Sequence, residues 1–429
     1  MKVVVWGTGE TGKAAARVML AKGHEVRLVD EAQSKVEGNI PVKMLAPSDM
    51  EWADLVIPSP GVPRYHSLFA YAKKVLSEIE VAASMLRGKI IAITGTNGKT
   101  TTTSLVHTIL QAAGEDVGIG GNISPPMITL VDANPRYVVV EISSFQLEWI
   151  ERFRPFIGVC MNITPDHLDR YHDMEEYVYY KLRLFENMEG DDIAVIYNDD
   201  PYKDRVRRPR RVGFSVQKGD IRDGAYIQDG KIMFHGEIEG VGPRVPDPAM
   251  LGRGTIEDML ASALVTRYLG VEVGVMEEVF ANFKVIHHRF ERAGELGGVI
   301  FMDDSKATNV GAVDIALKSI AGKVILILGG KDKGGDFGKL AASHRDKIKK
   351  AILMGEASAR IELEIADKVA IERAFDMQDA VDKAYALAGR GDIVLLSPGC
   401  ASFDMFNSYA HRGEVFVACV KELIAKKMS

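Results

Sequence analysis

Short apolar runs recur along the chain, each stopped by glycine or small polar residues and followed by an amphipathic stretch. Lys2–Trp6 reads as a buried strand with the helix Lys13–Lys22 after it; Glu25–Val29, ending in Asp30, and Leu55–Pro58 are the next strands. The alternation restarts at Lys89–Ile93, whose helix runs from Thr101 to Ala113, with further strands at Tyr137–Ile142, Ile157–Asn162 and Ile193–Asn198. Between Asp199 and Arg244 the runs become short and alternating, as in Lys231-Ile232-Met233-Phe234, which predicts antiparallel hairpins at a sheet edge. A third block opens with Val299–Asp303 and continues through Val324–Leu328, Ala351–Met354 and Ile393–Leu396. Strands separated by helices predict parallel sheets with crossover connections. The expected architecture is α/β in three domains, residues 1–87, 88–285 and 286–429.

A chain of 429 residues is long for one core, and its 47% hydrophobic content allows each domain a core of its own. No apolar run approaches the ~18–20 residues of a membrane span, and the first residues turn glycine-rich too soon for a signal peptide. Cys160, Cys400 and Cys419 are odd in number and widely separated, which argues against a disulfide framework or a zinc site and for a reducing cytoplasm. A net charge of −6 weighs against a general nucleic-acid binder. The basic run Arg205–Arg211 is expected to be a solvated loop face.

The candidate chemistry lies just past strand ends, where open α/β sheets bind ligands. Gly95, Thr96, Asn97 and Gly98 are small, so successive backbone N–H groups can converge on phosphate oxygens; the helix from Thr101 adds the positive end of its dipole. Lys99 would reach the β/γ-phosphates and Thr100 would put a hydroxyl on Mg²⁺. The generic loop has glycine where Ile93 stands. Upstream, Gly7-Thr-Gly-Glu-Thr-Gly12 with an acid, Asp30, roughly 20 residues on matches the dinucleotide fingerprint. Taken literally it says NAD. The block ends near residue 87, half the length of a full dinucleotide domain, and a nucleoside diphosphate suits it equally. The loop Ser59-Pro-Gly-Val-Pro63 is placed to cover such a ligand. Glu141 closes an apolar strand, where an unpaired carboxylate is costly; Mg²⁺ or a salt bridge would satisfy it. Asn162 through Tyr171 ends another strand and presents Asp166, His167 and Asp169 together, making His167 a metal or substrate candidate.

These segments occur in one order with Gly121-Asn122-Ile123, Glu141–Glu148, Tyr180–Asn187, His288-Arg289, Asp304–Asn309, Gly329-Gly330 and Leu396–Asp404. In that order they resemble the motifs of the Mur ligase family, and the resemblance covers nearly the whole chain. It implies a Rossmann-like N-terminal domain holding the UDP end of a precursor, a central P-loop ATPase-like domain with a mixed sheet, and a mobile Rossmann-like C-terminal domain receiving an amino acid. UDP-substrate contacts would be Gly9, Thr11, Asp30, Ser59, Gly61, Asn122 and His167, which displaces NAD. ATP would meet Gly95 through Thr101 together with Arg289 and Asp304. The amino acid would meet Arg289, Lys306, Thr308, Lys333, Ser402, Phe403 and Tyr409, with Lys331 competing for the register of Lys333. The resemblance further implies that Lys181 is carbamylated by CO₂. An ammonium would repel Mg²⁺, whereas a carbamate offers carboxylate-type oxygens; the alternative is a plain solvated lysine. Catalytic residues would be Lys99, Glu141, His167 and Lys181, and the Mg²⁺ or Mn²⁺ ligands Thr100, Glu141, His167 and carbamylated Lys181.

The reaction so implied is the ATP-dependent addition of D-glutamate to UDP-N-acetylmuramoyl-L-alanine through an acyl phosphate, in peptidoglycan precursor synthesis, by a cytoplasmic monomer. One departure is visible. Where the family shows His-Asn-x-x-Asn before a helix, this chain has Gly254-Thr-Ile-Glu-Asp258, so Thr255 and Asp258 replace asparagines that would read the nucleotide. A nicotinamide oxidoreductase built on Gly7–Gly12 would leave Gly98-Lys99-Thr100 and Lys181 without a role.

Overall fold

A computed structural model describes residues 1–31, 40–246, 248–284 and 287–428. The expected boundary at 285 lies outside the described residues. By contacts the chain forms two units. The first comprises Met1–Ile163, Glu175–Arg244 and Asp258–Phe280; the second comprises Thr164–Met174, Val245–Glu257 and Ala281–Ser429.

The first unit holds two sheets. The smaller has four parallel strands, β1 (Lys2–Trp6), β2 (Glu25–Asp30), β3 (Val42–Met44) and β4 (Leu55–Pro58), in the order β3-β2-β1-β4. The larger contains β5 (Lys89–Thr94), β6 (Val117–Gly121), β7 (Tyr137–Glu141), β8 (Ile157–Cys160), β9 (Ile193–Tyr197), β10 (Arg210–Phe214), β11 (Gly224–Gln228), β12 (Lys231–His235) and β13 (Gly240–Arg244). Its order is β13-β12-β11-β10-β9-β8-β5-β7-β6. Strand β5 therefore lies between β7 and β8, where the winding reverses. In each sheet such a reversal leaves a crevice at the carboxyl ends of the strands.

The antiparallel expectation holds for β11–β12 and β12–β13. It fails for β10, which pairs in parallel with both β9 and β11. Val212 and Phe214 are fully buried, so this strand extends the central sheet rather than edging it. The basic run is solvated as expected, with Arg205, Arg207, Arg208 and Arg211 exposed, but it is only in part a loop. Arg210 and Arg211 lie in β10, and Arg205, Arg210 and Arg211 pair with Glu175, Asp223 and Asp204 respectively.

The second unit carries the third sheet, β14 (Glu291–Leu296), β15 (Val299–Asp303), β16 (Val324–Gly329), β17 (Ile348–Met354), β18 (Ile371–Arg373) and β19 (Ile393–Leu396), in the order β14-β15-β19-β16-β17-β18. All neighbours are parallel except β14 and β15. Side chains of β16 alternate between two cores: Val324, Leu326 and Leu328 face one, Ile325 and Ile327 the other. That period of two, with both faces apolar, is the mark of a sheet covered by helices on both sides.

Candidate active site

In the small sheet, the turn after β1 is tight because its glycines leave no alternative. Gly7 has φ +113°, and a Cβ there would lie 2.3 Å from Ser59 Oγ; a Cβ on Gly12 would lie 1.9 Å from Gly7 O. Gly9 caps the helix Glu10–Ala21, whose first turn includes Thr11. Asp30 Oδ2 accepts from both the Thr8 amide (2.9 Å) and the Thr8 hydroxyl (2.7 Å), so the acid at the end of β2 braces the turn. Ser59 Oγ, just past β4, is buried with no hydrogen-bond partner among the described residues. A buried hydroxyl over a glycine turn and a helix N-terminus is a ready donor for phosphate oxygens.

The phosphate loop joins β5 to the helix Lys99–Ala112. Gly95 and Gly98 have φ of +146° and +89°, and a Cβ on Gly98 would meet Asp258 Oδ1 at 2.4 Å. No acid stands in the first turn of that helix. Lys99 Nζ donates to Gly95 O (2.7 Å) and Thr96 O (2.9 Å), which keeps the ammonium over the loop. Asn162, just past β8, clamps the loop from outside: its carbonyl accepts the Thr96 amide, its Oδ1 the Asn97 amide, and its Nδ2 donates to Asn97 O. For that reason β8 ends at Cys160 and not at the expected Asn162. Thr100 and Thr101 follow in the first helical turn, Thr101 buried.

Glu141, at the carboxyl end of β7, is 2% exposed. Its Oε1 accepts from Asn122 Nδ2 at 2.7 Å, and its Oε2 is buried without a hydrogen-bond partner among the described residues. The helix Met174–Leu182 brings Lys181 to the same unit, also 2% exposed, its Nζ 4.7 Å from the centre of the Tyr177 ring. Tyr177 Oη meets Thr96 Oγ1 at 2.9 Å, fastening this helix to the phosphate loop. Arg183 fastens its other end by donating to the carbonyls of Leu147, Glu148 and Ile150. Asp200, which the sequence did not single out, bonds the amides of Ile163 and Tyr202. Burial pushes its carboxyl up, and those amides with the charge of Lys181 pull it back. Among the described residues no three His, Cys, Asp or Glu side chains form a ready-made metal cage. An Mg²⁺ carried in with nucleotide phosphates needs only one or two protein carboxylates. The open Oε2 of Glu141 fits that requirement.

Gly61 stays in the first unit, in the loop after β4; the other remaining predicted residues lie in the second. His167, at φ +57°, follows Asp166, whose carboxylate accepts from Asn309 Nδ2 (3.1 Å) and faces Lys333 Nζ (3.5 Å). Lys331 instead bridges to Ala401 through its backbone. Asp304 is buried after β15; Ser397 Oγ donates to it at 2.7 Å. Burial raises its carboxyl to about 7, against the Ser397 hydrogen bond and the charge of Arg289. Lys306 Nζ stands 5.5 Å from the Tyr409 ring centre, so these two residues do come together. The Thr308 amide donates to Lys306 O. Ser402 is buried, its carbonyl accepting the Phe406 amide, while Phe403 is 72% exposed. Arg412 is buried and was missed; it donates to Ser305 Oγ, Ser305 O and Cys400 O, holding the Asp304–Asn309 loop against the loop after β19. Thr255 and Asp258 are both buried in the helix Pro248–Tyr268, and Thr102 Oγ1 donates to Asp258 Oδ1 at 3.4 Å.

Two family profiles match, "Mur ligase middle domain" over residues 93–239 and "Mur ligase, glutamate ligase domain" over residues 288–400. The UDP-N-acetylmuramoylalanine--D-glutamate ligase of Geotalea daltonii is 40% identical, with 98% of this chain and 97% of that protein covered. The chain belongs to the Mur ligase family. The enzyme of the same name from Acidobacterium capsulatum is 39% identical, covering 97% of this chain and 95% of its own. Solved Mur-type ligases share the fold at lower identity. A pseudomurein peptide ligase type C from Methanothermus fervidus has a TM-score of 0.63 at 18% identity, with both chains fully covered. The MurF ligase of Thermotoga maritima, in complex with ADP, gives 0.62 at 17%, covering 99% of this chain and 95% of its own.

Proposed function

We propose that the protein joins D-glutamate to UDP-N-acetylmuramoyl-L-alanine with cleavage of ATP, as a cytoplasmic, monomeric enzyme of peptidoglycan precursor synthesis. The observation that carries this reading is the buried Glu141 Oε2, open beside a Gly-Lys-Thr loop, in a chain whose full-length relatives are named for D-glutamate ligation. A carboxylate oxygen of the precursor's alanyl stem attacks the γ-phosphorus, the bond to the β-phosphate oxygen breaks, and ADP leaves. The amine of D-glutamate then attacks the acyl-phosphate carbonyl and expels phosphate and a proton. Lys99 and the loop amides stabilise charge on the transferring group. Mg²⁺ would be held by Thr100, Glu141, His167 and carbamylated Lys181, and supplies neutralising charge for the phosphates.

In this reading the Gly7–Gly12 turn, Gly9, Thr11, Asp30, Ser59, Gly61 and Asn122 take the UDP precursor, with His167 at its muramoyl end. Arg289 and Asp304 meet ATP, and Lys306, Thr308, Lys333, Ser402, Phe403 and Tyr409 serve the incoming amino acid. The carbamate forms when the neutral Lys181 amine adds to CO₂ and loses a proton. The domain limits 1–87, 88–285 and 286–429, with Rossmann-like ends, remain part of the proposal.

Phosphate release with the UDP-precursor against a panel of D- and L-amino acids tests the reading. Release should require both the precursor and D-glutamate. Preference for another amino acid, or hydrolysis indifferent to the precursor, would overturn it.

A further inference from the structure

The loop after β4 does more than approach the glycine turn. Ser59 and Val62 close one hydrogen-bonded turn, and Pro63 and His66 close the next, so residues 59–66 form a stiff strap. At its far end Arg64 donates to Tyr180 Oη, and its guanidinium lies 5.1 Å from the Tyr180 ring centre and 5.3 Å from that of Trp149. Tyr65 Oη reaches Glu176 on the same helix. Tyr180 is 6% exposed and immediately precedes Lys181. A line of rings runs alongside: Trp6, the residue before the glycine turn, contacts Phe69 at 5.0 Å, and Phe69 contacts Trp149 at 4.8 Å.

We infer that Arg64 is a positioning residue for the ligation, tying the strap that faces the UDP precursor to the helix that carries Lys181. The inference rests on the function proposed above. The strap reaches that helix through Arg64, and the line of packed rings from the precursor turn ends at Trp149, against the same guanidinium. Contiguous, stiff contacts of this kind carry coupling when both ends are biased by one ligand. The geometry at Lys181 then depends on whether the strap is seated.

Arg64→Met keeps the aliphatic stem and removes the guanidinium; Tyr180→Phe keeps the ring and removes its hydroxyl. Each should lower kcat by ~10-fold, a size in keeping with sub-ångström misplacement of a reacting group, and raise KM for the precursor while KM for ATP stays put. The double variant should be no worse than Arg64→Met alone, because the bond that Tyr180→Phe removes is already lost with the guanidinium. Lys73→Met, a cation in the same groove paired with Asp54, should stay within ~2-fold of wild type. An independent readout is amide exchange across residues 174–185 on adding UDP: wild type should slow, Arg64→Met should not. Loss of thermal stability with unchanged kcat, or additive effects in the double variant, would overturn the coupling. UDP binding without any change in exchange would do so as well. Failure to bind UDP at all would instead sink the proposed function, and the inference with it.

Discussion

Asn122 donates its side-chain amide to Glu141 Oε1 at 2.7 Å, while the other oxygen of that carboxylate is buried without a hydrogen-bond partner among the described residues. The pair is built by adjacent strands, since the Asn122 amide also donates to Glu141 O at 2.8 Å. Gly121 must be glycine, because its Cβ would sit 2.3 Å from that same oxygen. Asn122 thus fixes which way the open oxygen points.

Glu141→Gln preserves shape and the contact with Asn122 while removing the charge. Activity should fall by ~10²-fold and need more Mg²⁺ to saturate, the usual cost of altering a metal's ligand set. Thermal stability should hold or rise, because a buried unpaired charge is lost. An unchanged Mg²⁺ titration would remove Glu141 from the metal site.

Lys99→Ala should lower kcat by at least ~10²-fold, the size expected for one charge-stabilising contact. The fold should survive: Lys99 also bonds the Gly95 and Thr96 carbonyls, but Asn162 independently holds the Thr96 and Asn97 amides. Near-normal turnover in a steady-state assay would defeat the phosphate-loop assignment.

Much of the fold was legible in the sequence. Strands rich in valine and isoleucine, such as β1, β5, β7 and β15, were readable because burial on both faces leaves continuous apolar runs. The strand β6 was hidden by its glycines, Val-Gly-Ile-Gly-Gly, and β14 and β18 by charges that edge strands tolerate. Of the candidate site residues, Lys99 and Glu141 stood out because few residue types suit the chemistry at those positions, whereas Asn122 and Lys181 were marked only by the resemblance to the family. Arg412 did not: it acts on Ser305, 107 positions away, and nothing local marks an arginine as buried. Asn162 appeared in a motif, but its grip on the phosphate loop comes from the adjacency of β8 and β5.

The acid Asp30 presents two separable roles. Asp30→Ala should raise KM for the UDP precursor with little change for ATP, because Thr8 loses both of its bonds and the glycine turn loosens. Asp30→Asn, which can still accept from Thr8, should restore part of the affinity. Equal changes in both KM values would place Asp30 outside the precursor site.

Glu78 gives a pH signature for stability. It is buried, with Oε1 accepting from the Ile128 amide and Oε2 unpartnered, and burial raises its carboxyl from 4.5 to about 7. Between those values the folded chain keeps a proton that the unfolded chain has lost. Stability from this group is therefore full below about pH 4.5, falls as pH rises to about 7, and is level above. A shift of that size is worth at most roughly 3 kcal/mol. Glu78→Gln abolishes the titration, so its melting temperature should gain on wild type between about pH 4.5 and 7 and hold a constant lead above that. A gap independent of pH would show that Glu78 is ionised throughout.

The most discriminating test concerns Lys181. Few nucleotide-loop enzymes would bury a lysine on a helix fastened to the loop, where its ammonium would oppose the Mg²⁺ proposed there. Its 2% exposure, the Tyr177 ring against its Nζ and the bond from Tyr177 to Thr96 place the side chain within the loop's own scaffold. A carbamate reverses the sign of its charge and supplies oxygens to the metal. Lys181→Ala should keep ATP binding and lose most turnover, and acetate, occupying the vacated oxygen positions, should restore part of it. Wild-type activity should fall on CO₂ depletion at mildly acidic pH, where the free amine is protonated, and return with bicarbonate. A ¹³C-bicarbonate carbamate signal should appear in wild type and vanish in Lys181→Ala. Full activity of that variant without acetate, or active wild type with no carbamate signal, would rule the modification out.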